Sequence, residues 1–373
     1  MEAVNALGTL HVDGRQRAER VEVDRLLADR DEERVDERGV AALVVTVVGT
    51  RPELIRLSLV FRRFAEAGID VALVEVGLGG RLDATHAWDG GVAAVTNVAL
   101  DHTDRLGSTI AAIAREKAAI IERGDQAVTG ADGEALAIVR RRARRVGAPL
   151  TELGPAPILS SDRDGLTVEL PRLGATRVGL RGRHQAANVA VADAILDALD
   201  AAGIAAADDD ARRSGYAGAD WPGRLELLTI DGDDILLDGA HNPAGAAALA
   251  QALDDLRPHL APGPLTLVMA AMADKDVEGI VDALTGASAL LGATVIATTL
   301  DAARAMPADE LAARWRRHGP RVSDVQAVTD PLEAVERARA RGGLTVVAGS
   351  LYLVGQVRAH LVDDPELRDP PPP

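Results

Sequence analysis

Short β-branched runs alternate with alanine-rich stretches along most of this chain, and that alternation limits the folds open to it. Runs of valine, isoleucine and threonine fit buried strands, whereas apolar residues three and four apart fit helices. A parallel strand needs a crossover, usually a helix, to reach its neighbour, so the alternation predicts a mainly parallel α/β sheet. The predicted strands are 71–76, 92–98, 235–238, 265–271, 294–298 and 344–348. The clearest predicted helices are 244–256, 277–284 and 308–317.

The same pattern predicts the domain organisation. The last third of the chain has the alternation of a Rossmann-like domain. Residues 216–223 (YAGADWPG) are rich in glycine and end in proline and glycine, which is typical of a hinge. We therefore predict a charged arm at 1–40, a central domain at 41–228, a C-terminal domain at 229–362 and a disordered proline-rich tail at 363–373.

Composition narrows the function classes. The chain of 373 residues carries a formal charge of −16, which argues against nucleic-acid binding because that needs a basic face. The one dense basic run, 140–145 (RRRARR), is predicted to be the solvated face of a helix. Zero cysteines exclude disulfides and thiolate sites. No apolar run approaches the roughly 18 residues of a membrane span, so we expect a cytoplasmic monomer without membrane partners.

A glutamate, a histidine and a lysine that could bind a metal or take part in catalysis lie at turn or helix positions in the first half of the chain. Residues 71–85 (VALVEVGLGGRLDAT) end an apolar run in Glu75, which precedes a glycine-rich turn. His102 lies in 97–103 (NVALDHT), and Lys117 lies in the helix-like stretch 110–121 (IAAIAREKAAII). A carboxylate at a strand end beside a glycine loop can present oxygen to a metal or phosphate. Lysine is rare here, since only Lys117 and Lys275 occur among 41 basic residues, which indicates either a task arginine cannot perform or a coding bias toward arginine.

These segments, in this order, resemble the folylpolyglutamate synthase and dihydrofolate synthase family, which belongs with the Mur ligases. The resemblance continues in 180–188 (LRGRHQAAN), 221–226 (WPGRLE), 237–243 (LDGAHNP), 274–276 (DKD) and 349–354 (GSLYLV). It implies an α/β protein with a Mur-ligase-like central α/β domain, incomplete at its N-terminus, followed by a Rossmann-like C-terminal domain. It also implies an ATP-dependent ligase that adds glutamate to dihydropteroate or folates through an acyl phosphate.

The resemblance assigns a metal to the first three residues. Glu75 would bind Mg²⁺, and His102 would contribute to a second metal position, although imidazole suits manganese better. Lys117 would be carbamylated, because an amine on a partly buried helix face can take up carbon dioxide, and the new carboxylate would help to hold the metal. The alternatives are a solvated strand-end glutamate, a hydrogen-bonded structural histidine, and a surface lysine paired with Glu116 or Glu122.

Further positions concern the substrate and ATP. The resemblance implies that the pterin-bearing substrate contacts Leu82, Asp83 and Ala84. It implies that the base, a phosphate and the ribose of ATP contact, respectively, Asn188, Arg224 and Asp238. These residue types suit those partners. An amide can pair with adenine, a guanidinium can donate two hydrogen bonds to a phosphate, and a carboxylate can accept hydrogen bonds from sugar hydroxyls.

The motif 237–243 carries two interpretations at once. In the resembled family His241 would lie beside the nucleotide, and it joins Lys117 as a predicted catalytic residue. Asn242 and Pro243 can equally cap and start the following helix, because asparagine is a favoured N-cap and proline fits the first helical position.

The chain departs from the family where the triphosphate should be held. The family opens with a glycine-rich loop whose amides and lysine wrap the triphosphate, followed by a serine-proline metal segment. Neither Gly-Lys-Ser nor Gly-Lys-Thr occurs anywhere in the 373 residues, and the serine-proline segment is also missing. The explanations are a truncated or false N-terminus, a divergent or recombined gene that lost nucleotide turnover, or a loop supplied by another chain.

Three functions follow from these observations. The first is the ATP-dependent ligase, with small-molecule substrates and Mg²⁺. The second is a non-catalytic pterin- or nucleotide-binding relative, which the missing loop favours. The third is a UDP-N-acetylglucosamine 2-epimerase, which rests only on the resemblance of residues 45–57 (VTVVGTRPELIRL) to the opening of those enzymes. We take the ligase as the expectation.

Overall fold

The computed structural model describes residues 44–49, 71–87, 89–317 and 321–362. They form two compact units. The first contains the described chain up to Val98 with His102–Glu152 and Ala194–Ala206, and the second contains Ala99–Asp101, Leu153–Asp193 and the chain from Ala207 onward. The predicted arm at 1–40 and tail at 363–373 lie outside the described residues. The domain limits stay a prediction, and their boundary near Leu228 falls within a strand.

Parallel strands form the sheets of the first unit. Strands β1 (Val44–Gly49) and β2 (Val71–Val76) pair with each other. A second parallel sheet has the order β3 (Val92–Val95), β4 (Gln126–Thr129) and β5 (Leu150–Glu152). The helices are α1 (Thr103–Leu106), α2 (Ile110–Ala118) and α3 (Gly133–Val146). Small and branched apolar residues fill the core between α2, α3 and the second sheet, among them Ala114, Ile138 and Val139.

Helix α2 ends at Ala118, three residues before the predicted end at 121, because the chain turns there to bury Ile121 completely. The guanidinium of Arg142 on α3 donates to the carbonyl oxygens of Ala119 at 3.1 Å and Ile121 at 2.8 Å. A cation at this end of a helix also interacts favourably with the helix dipole. Arg142 is therefore an exception to the prediction of a solvated arginine run, whose other four arginines are exposed.

The second unit begins with an antiparallel sheet that the sequence reasoning missed. Strands β6 (Ile158–Asp162), β7 (Gly165–Leu170) and β8 (Gly174–Val178) pair in chain order. Helix α4 (Gln185–Ala201) follows, and its residues up to Asp193 belong to this unit. Helix α5 (Asp209–Ala217) is joined to α4 by a buried ion pair between Arg212 and Asp193 with an N–O distance of 2.8 Å.

A six-stranded sheet forms the rest of the second unit. Its order is β13-β12-β11-β14-β10-β9, and only the edge pair β9–β10 is antiparallel. The strands are β9 (Glu226–Ile230), β10 (Asp233–Leu237), β11 (Leu265–Met269), β12 (Thr294–Ala297), β13 (Asp324–Ala327) and β14 (Leu344–Ala348). The helices are α6 (Pro243–Leu256), α7 (Val277–Thr285), α8 (Ala308–Arg317), α9 (Pro331–Arg339) and α10 (Leu351–Leu361).

Apolar cores cover both faces of this sheet, so its central strands are buried throughout. The prediction of a mainly parallel α/β architecture is confirmed, and each predicted strand and helix is present with its ends shifted by a few residues at most. Asn242 caps α6 by accepting from the Gly245 amide at 2.8 Å, and Pro243 occupies the first helical turn, as predicted. In the described part of the chain, no helix is long and apolar enough to cross a membrane.

Candidate active site

The glycine-rich turn after β2 is the place where the predicted metal-binding elements approach one another. Gly79 and Gly80 have φ angles of 75° and 148°. A Cβ atom on Gly79 would lie 2.8 Å from Leu106 Cδ2, at the end of α1. A Cβ atom on Gly80 would lie 2.9 Å from the carbonyl oxygen of Glu116. Only glycine permits this approach, so the turn packs against α1, which begins after His102, and against the end of α2.

The three predicted residues lie on those elements. Glu75 is exposed near the end of β2, and Lys117 is half-buried in the last turn of α2. His102 is exposed and forms the N-cap position of α1 with a left-handed backbone (φ 49°). A non-glycine residue in this conformation is uncommon and often marks a functional site. The turn thus brings the three elements together, while binding of a metal by these side chains stays a prediction.

The alternative partners of Lys117 are engaged elsewhere. Glu116 Oε1 accepts from Arg81 Nε at 2.9 Å, and Glu122 Oε1 lies 3.3 Å from His86 Nε2. Among the residues that the structure describes, no carboxylate forms a salt bridge with Lys117. A lysine amine without a carboxylate partner is available for carbamylation, which supports that interpretation over the surface ion pair.

Glu75, His102 and Lys117 offer enough oxygen and nitrogen ligands for Mg²⁺ only if Lys117 is carbamylated. No group of three histidine, aspartate or glutamate side chains in the described ranges could hold a metal ion. The predicted set contains one carboxylate and one imidazole, so a third donor must come from a carbamylated Lys117. Carboxylate oxygens of that kind suit Mg²⁺, and the half-buried lysine beside the glycine turn could supply one.

The predicted pterin-contacting residues form a compact loop. Asp83 is buried, and its carboxylate accepts from the Leu78 amide at 2.9 Å and from the Thr85 amide and hydroxyl at 3.0 and 2.7 Å. Leu82 leaves 50% of its surface exposed, and Ala84 begins a 3₁₀ turn, Ala84–Ala87. Asp83 therefore closes the loop structurally and Leu82 presents apolar surface. Substrate contacts at these residues stay a prediction.

In the second unit, two turns meet around Arg224 and Asp238. The Gly239 amide donates to the Gly223 carbonyl at 2.9 Å, which joins the turn 221–224 to the end of β10. A Cβ atom on Gly239 would lie 2.5 Å from Arg224 Nη1, so the guanidinium rests directly on this glycine. Arg224 is exposed, and no described carboxylate forms a salt bridge with it. An exposed guanidinium held in this way is suited to binding a phosphate.

Asp238 is fixed by the same two turns. Its Oδ2 accepts from the Leu225 amide at 3.0 Å and its Oδ1 accepts from the Ala240 amide at 2.9 Å. Leu225 adopts a left-handed backbone (φ 47°), which turns its amide toward the carboxylate. Burial raises the pKa of Asp238, and the two amides, Arg224 and His241 partly offset that rise. Each oxygen keeps lone-pair capacity for a further donor such as a hydroxyl.

His241 and Asn242 contribute to a polar cluster with Asp101 and Lys275. His241 Nδ1 lies 2.8 Å from the Gly239 carbonyl and must carry a proton to donate to it. Asp101 accepts from Asn242 Nδ2 at 2.9 Å and from Lys275 Nζ at 3.2 Å, and it lies 4.0 Å from His241 Nε2. The Nε2 atom of a neutral His241 is consequently an acceptor, facing a carboxylate that holds the second lysine of the chain.

A hydrogen-bonded chain extends along the start of α4. Asn188 Nδ2 donates to Gln185 Oε1 at 2.8 Å, and Gln185 Nε2 lies 3.1 Å from His184 Nε2. Partial loss of hydration among neighbouring protein atoms and the nearby Arg224 guanidinium lower the pKa of His184, although part of the residue stays exposed. A neutral His184 can accept from Gln185, so this chain leads from Asn188 to a ring close to Arg224.

The structure adds residues to which the sequence reasoning gave no role. They are Asp101, His184, Gln185, Glu226 and Arg358. The first four lie inside the quoted motifs, and that position is the signal that could have identified them. Arg358 lies beyond the last motif and carries no such signal.

Comparison with known proteins gives two domain matches. The Mur ligase middle domain matches residues 33–196, and the Mur ligase glutamate ligase domain matches residues 223–351. A dihydrofolate synthase/folylpolyglutamate synthase of Mycobacterium tuberculosis is 34% identical over 349 residues, which cover 83% of this chain and 68% of that protein. A probable bifunctional folylpolyglutamate synthase/dihydropteroate synthase of Haloferax volcanii is 34% identical over 367 residues. The match covers 88% of this chain but only 41% of that relative, so the chain spans less than half of its length.

Solved structures agree with these relatives. Mycobacterium tuberculosis folylpolyglutamate synthase complexed with ADP and AMPPCP superposes with a TM-score of 0.71 at 33% identity, covering 83% of this chain and 73% of the other. A bifunctional folylpolyglutamate synthase/dihydrofolate synthase with Mn, AMPPNP and L-glutamate bound superposes with a TM-score of 0.64 at 29% identity, covering 82% and 70%. The predicted Mur-ligase-like fold class is thereby confirmed. With both ligase domains matched in order, the chain belongs to the folylpolyglutamate synthase/dihydrofolate synthase family of the Mur ligases, a family of ATP-dependent ligases.

Proposed function

We propose that this chain is an ATP-dependent ligase that joins L-glutamate to dihydropteroate or to folates. The observation that carries the proposal is the meeting of Arg224, Asp238 and His241 at two joined turns of the second unit. An exposed guanidinium, a carboxylate fixed by amides and a histidine whose Nδ1 donates to a carbonyl offer the groups that a nucleotide site needs. Relatives whose structures contain ADP, AMPPCP or AMPPNP support the same conclusion.

The proposed reaction has two steps. The carboxylate of the pterin substrate attacks the γ-phosphorus of ATP, which releases ADP and leaves an acyl phosphate. The amine of glutamate then attacks the acyl carbon, forms the amide bond and releases inorganic phosphate. Because phosphoryl transfer depends on positioning and on charge stabilisation, the chain's own contribution is to fix the reacting groups.

Each predicted residue has a part in this scheme. Arg224 would bind a phosphate of ATP, Asp238 would accept from the ribose hydroxyls, and Asn188 would contact the base. His241, whose Nε2 is an acceptor when the ring is neutral, would lie beside the nucleotide. Leu82, Asp83 and Ala84 would contact the pterin substrate through the closed loop that they form.

Glu75, His102 and carbamylated Lys117 would hold a divalent metal. That metal would supply positive charge to stabilise the phosphate oxygens. We propose Mg²⁺, while one structural relative contains Mn, which accords with an imidazole donor. The chain's part is to keep Lys117 without a competing ion pair, since Glu116 and Glu122 are engaged by Arg81 and His86.

The test is phosphate release from ATP by the purified 373-residue chain. The reaction contains Mg²⁺, glutamate and either dihydropteroate or tetrahydrofolate, and each component is omitted in turn. We expect release that needs both the pterin substrate and glutamate. Release that does not depend on glutamate would contradict the ligase reaction. No release at all, while nucleotide still stabilises the protein against heat, would leave a binding-only relative.

A lysine variant gives the residue-level test. Lys117→Ala is expected to lower kcat at least about 100-fold, because it removes a group that acts on charge in the transition state. Arg115→Ala is the matched control, since Arg115 is a basic residue on the same helix and is exposed. Equal turnover by the lysine variant and the control would remove Lys117 from the mechanism.

A further inference from the structure

One face of helix α10, the last helix in the described part of the chain, packs against the turn that carries Arg224. Leu351, Val354 and Arg358 are three and four residues apart, so they share that face. A Cβ atom on Gly223 would lie 2.8 Å from Val354 Cγ1, and one on Gly239 would overlap the side chain of Leu351. The two glycines allow the helix to lie directly on the turn.

Arg358 and Glu226 form the polar part of this contact. Arg358 Nε donates to Glu226 Oε1 at 2.9 Å and lies 3.1 Å from Oε2. Both side chains are largely buried, with exposed fractions of 13% and 8%. Glu226 Oε2 also accepts from the Gly223 amide at 2.8 Å. The carboxylate is therefore bound by the helix on one side and by the turn on the other.

The contacts continue to the nucleotide-binding residues. Gly223 directly precedes Arg224, and its carbonyl accepts from the Gly239 amide at 2.9 Å. Gly239 is the residue on which the Arg224 guanidinium rests, and it follows Asp238. A connected path of hydrogen bonds thus runs from Arg358 through Glu226 and Gly223 to the end of β10.

Loss of one partner from this buried pair has a predictable consequence. A buried carboxylate without its cation is strongly destabilised and reorients toward water. Reorientation would release the Gly223 amide, and the turn that fixes Arg224 would lose its only described side-chain acceptor at that amide. The hydrogen bond between Arg358 and Glu226 joins two charged groups and is stronger than one between neutral groups, so its loss should have a measurable effect.

We propose that Glu226 and Arg358 are positioning residues that hold the turn 221–224 so that Arg224 meets the phosphates of the nucleotide. The proposal rests on the phosphate-binding role of Arg224 stated under the proposed function. Glu226 and Arg358 act through Arg224 and do not touch the ligand. Their loss therefore weakens binding of phosphates and leaves binding of the nucleoside part unchanged.

The experiment compares the affinities of ATP and adenosine for the full chain by calorimetry. Arg358→Gln is expected to weaken ATP binding about tenfold, the effect of one charged hydrogen bond, and to leave adenosine affinity unchanged. Arg337→Gln is the matched control, because Arg337 pairs with Glu333 on a helix where both side chains are about half exposed. Equal losses for ATP and adenosine would overturn the proposal.

A double-variant cycle tests whether the effect passes through Arg224. In an Arg224→Ala background, Arg358→Gln is expected to cause no further loss of ATP affinity. Arg358→Lys should restore part of the loss, because it keeps the charge but not the planar guanidinium. A full additional tenfold loss in the Arg224→Ala background would show a general structural effect and contradict positioning.

Hydrogen exchange separates failure of this proposal from failure of the proposed function. If the wild-type chain binds no ATP, the nucleotide role of the site fails, yet peptides covering 219–227 and 236–242 can still be followed. Glu226→Gln and Arg358→Gln should speed exchange at the Gly223 and Gly239 amides, whereas Arg337→Gln should not. Unchanged exchange in both variants would overturn the positioning role, whether or not ATP binds.

Discussion

Substitution of Gly80 by alanine tests the close approach that organises the first unit. Gly80 has φ 148°, and an added Cβ atom would lie 2.7 Å from Ile120 Cγ2 and 2.9 Å from the Glu116 carbonyl oxygen. The Lys117 carbonyl oxygen would be 3.3 Å away. Side-chain rotation could relieve the first overlap, but the two carbonyls belong to the last turn of α2 and can move only with the helix.

Two costs add at this position. A non-glycine residue at positive φ costs roughly 1–2 kcal/mol through backbone strain. Overpacking against a fixed backbone costs about 1–3 kcal/mol more. Gly80→Ala should therefore lower the free energy of unfolding by about 2–5 kcal/mol and shift the segment that carries Lys117.

Gly124→Ala isolates the first cost. Gly124 also has a positive φ of 100°, but nothing lies within 4 Å of an added Cβ atom. The control variant should lose only about 1–2 kcal/mol, the strain alone. The difference between the two variants then measures the overlap with the end of α2.

Urea unfolding followed by circular dichroism and by intrinsic fluorescence provides the assay, with phosphate release measured in parallel. We expect Gly80→Ala to unfold at lower urea than Gly124→Ala and to release phosphate more slowly. Equal midpoints for the two variants would refute the packing argument. Normal turnover in a destabilised Gly80→Ala would show that the glycine turn does not orient Lys117.

Two further predictions concern buried charges. Burial and the neighbouring Asp89 raise the pKa of Asp125 from 3.8 to about 6, so the stability contributed by its neutral form is complete below pH 3.8 and is lost as the pH rises through 6. Asp125→Asn should thus match the wild type near pH 4 in urea unfolding and exceed it by about 2–3 kcal/mol at pH 7.5; no difference at pH 7.5 would contradict the raised pKa. Arg212→Met should cost about 3–5 kcal/mol in the same assay, because the buried Asp193 would lose its cation while it keeps the Tyr216 hydroxyl at 2.8 Å. Tyr216→Phe should cost only about 1–2 kcal/mol. A smaller loss for Arg212→Met than for Tyr216→Phe would show that the ion pair is not the stabilising element.

The sequence predicted the parallel sheet because each central strand is buried on both faces. Strand β11 (LTLVM) and strand β14 (LTVVA) are buried at every position, so their sequences are almost uninterrupted apolar runs. Helices α6, α7 and α8 each bury one face against the sheet, which leaves the three- and four-residue spacing visible.

The antiparallel sheet β6–β8 was missed for a physical reason. Strand β6 is exposed at three of its five positions, so it lacks an apolar run. A signal was nevertheless present, since the dipeptide Asp164-Gly165, at which the turn enters β7, is typical of a tight hairpin. Gly165 has φ 133°, and an added Cβ atom would overlap the Val178 carbonyl, so the turn requires glycine.

The candidate site shows the same division between local and distant information. Arg224, Asp238 and His241 could be proposed as site residues because each lies within a short motif. The pair of Glu226 and Arg358 joins residues 132 apart, and that of Asp101 and Lys275 joins residues 174 apart. The sequence around one partner does not predict the other, because pairing between residues far apart in the chain depends on how the chain folds.

Nucleotide binding and turnover should be separable in this chain. Asn188, Arg224, Asp238 and His241 all belong to the second unit, whereas Glu75, His102 and Lys117 belong to the first. Arg224 and Asp238 are fixed by hydrogen bonds and contacts within the second unit alone. Loss of Lys117 should therefore abolish turnover while ADP affinity stays within about twofold of the wild type, since Lys117 is not among the residues that fix Arg224 and Asp238. A Lys117→Ala variant that lost ADP binding in calorimetry would show instead that the two groups of residues act as one site.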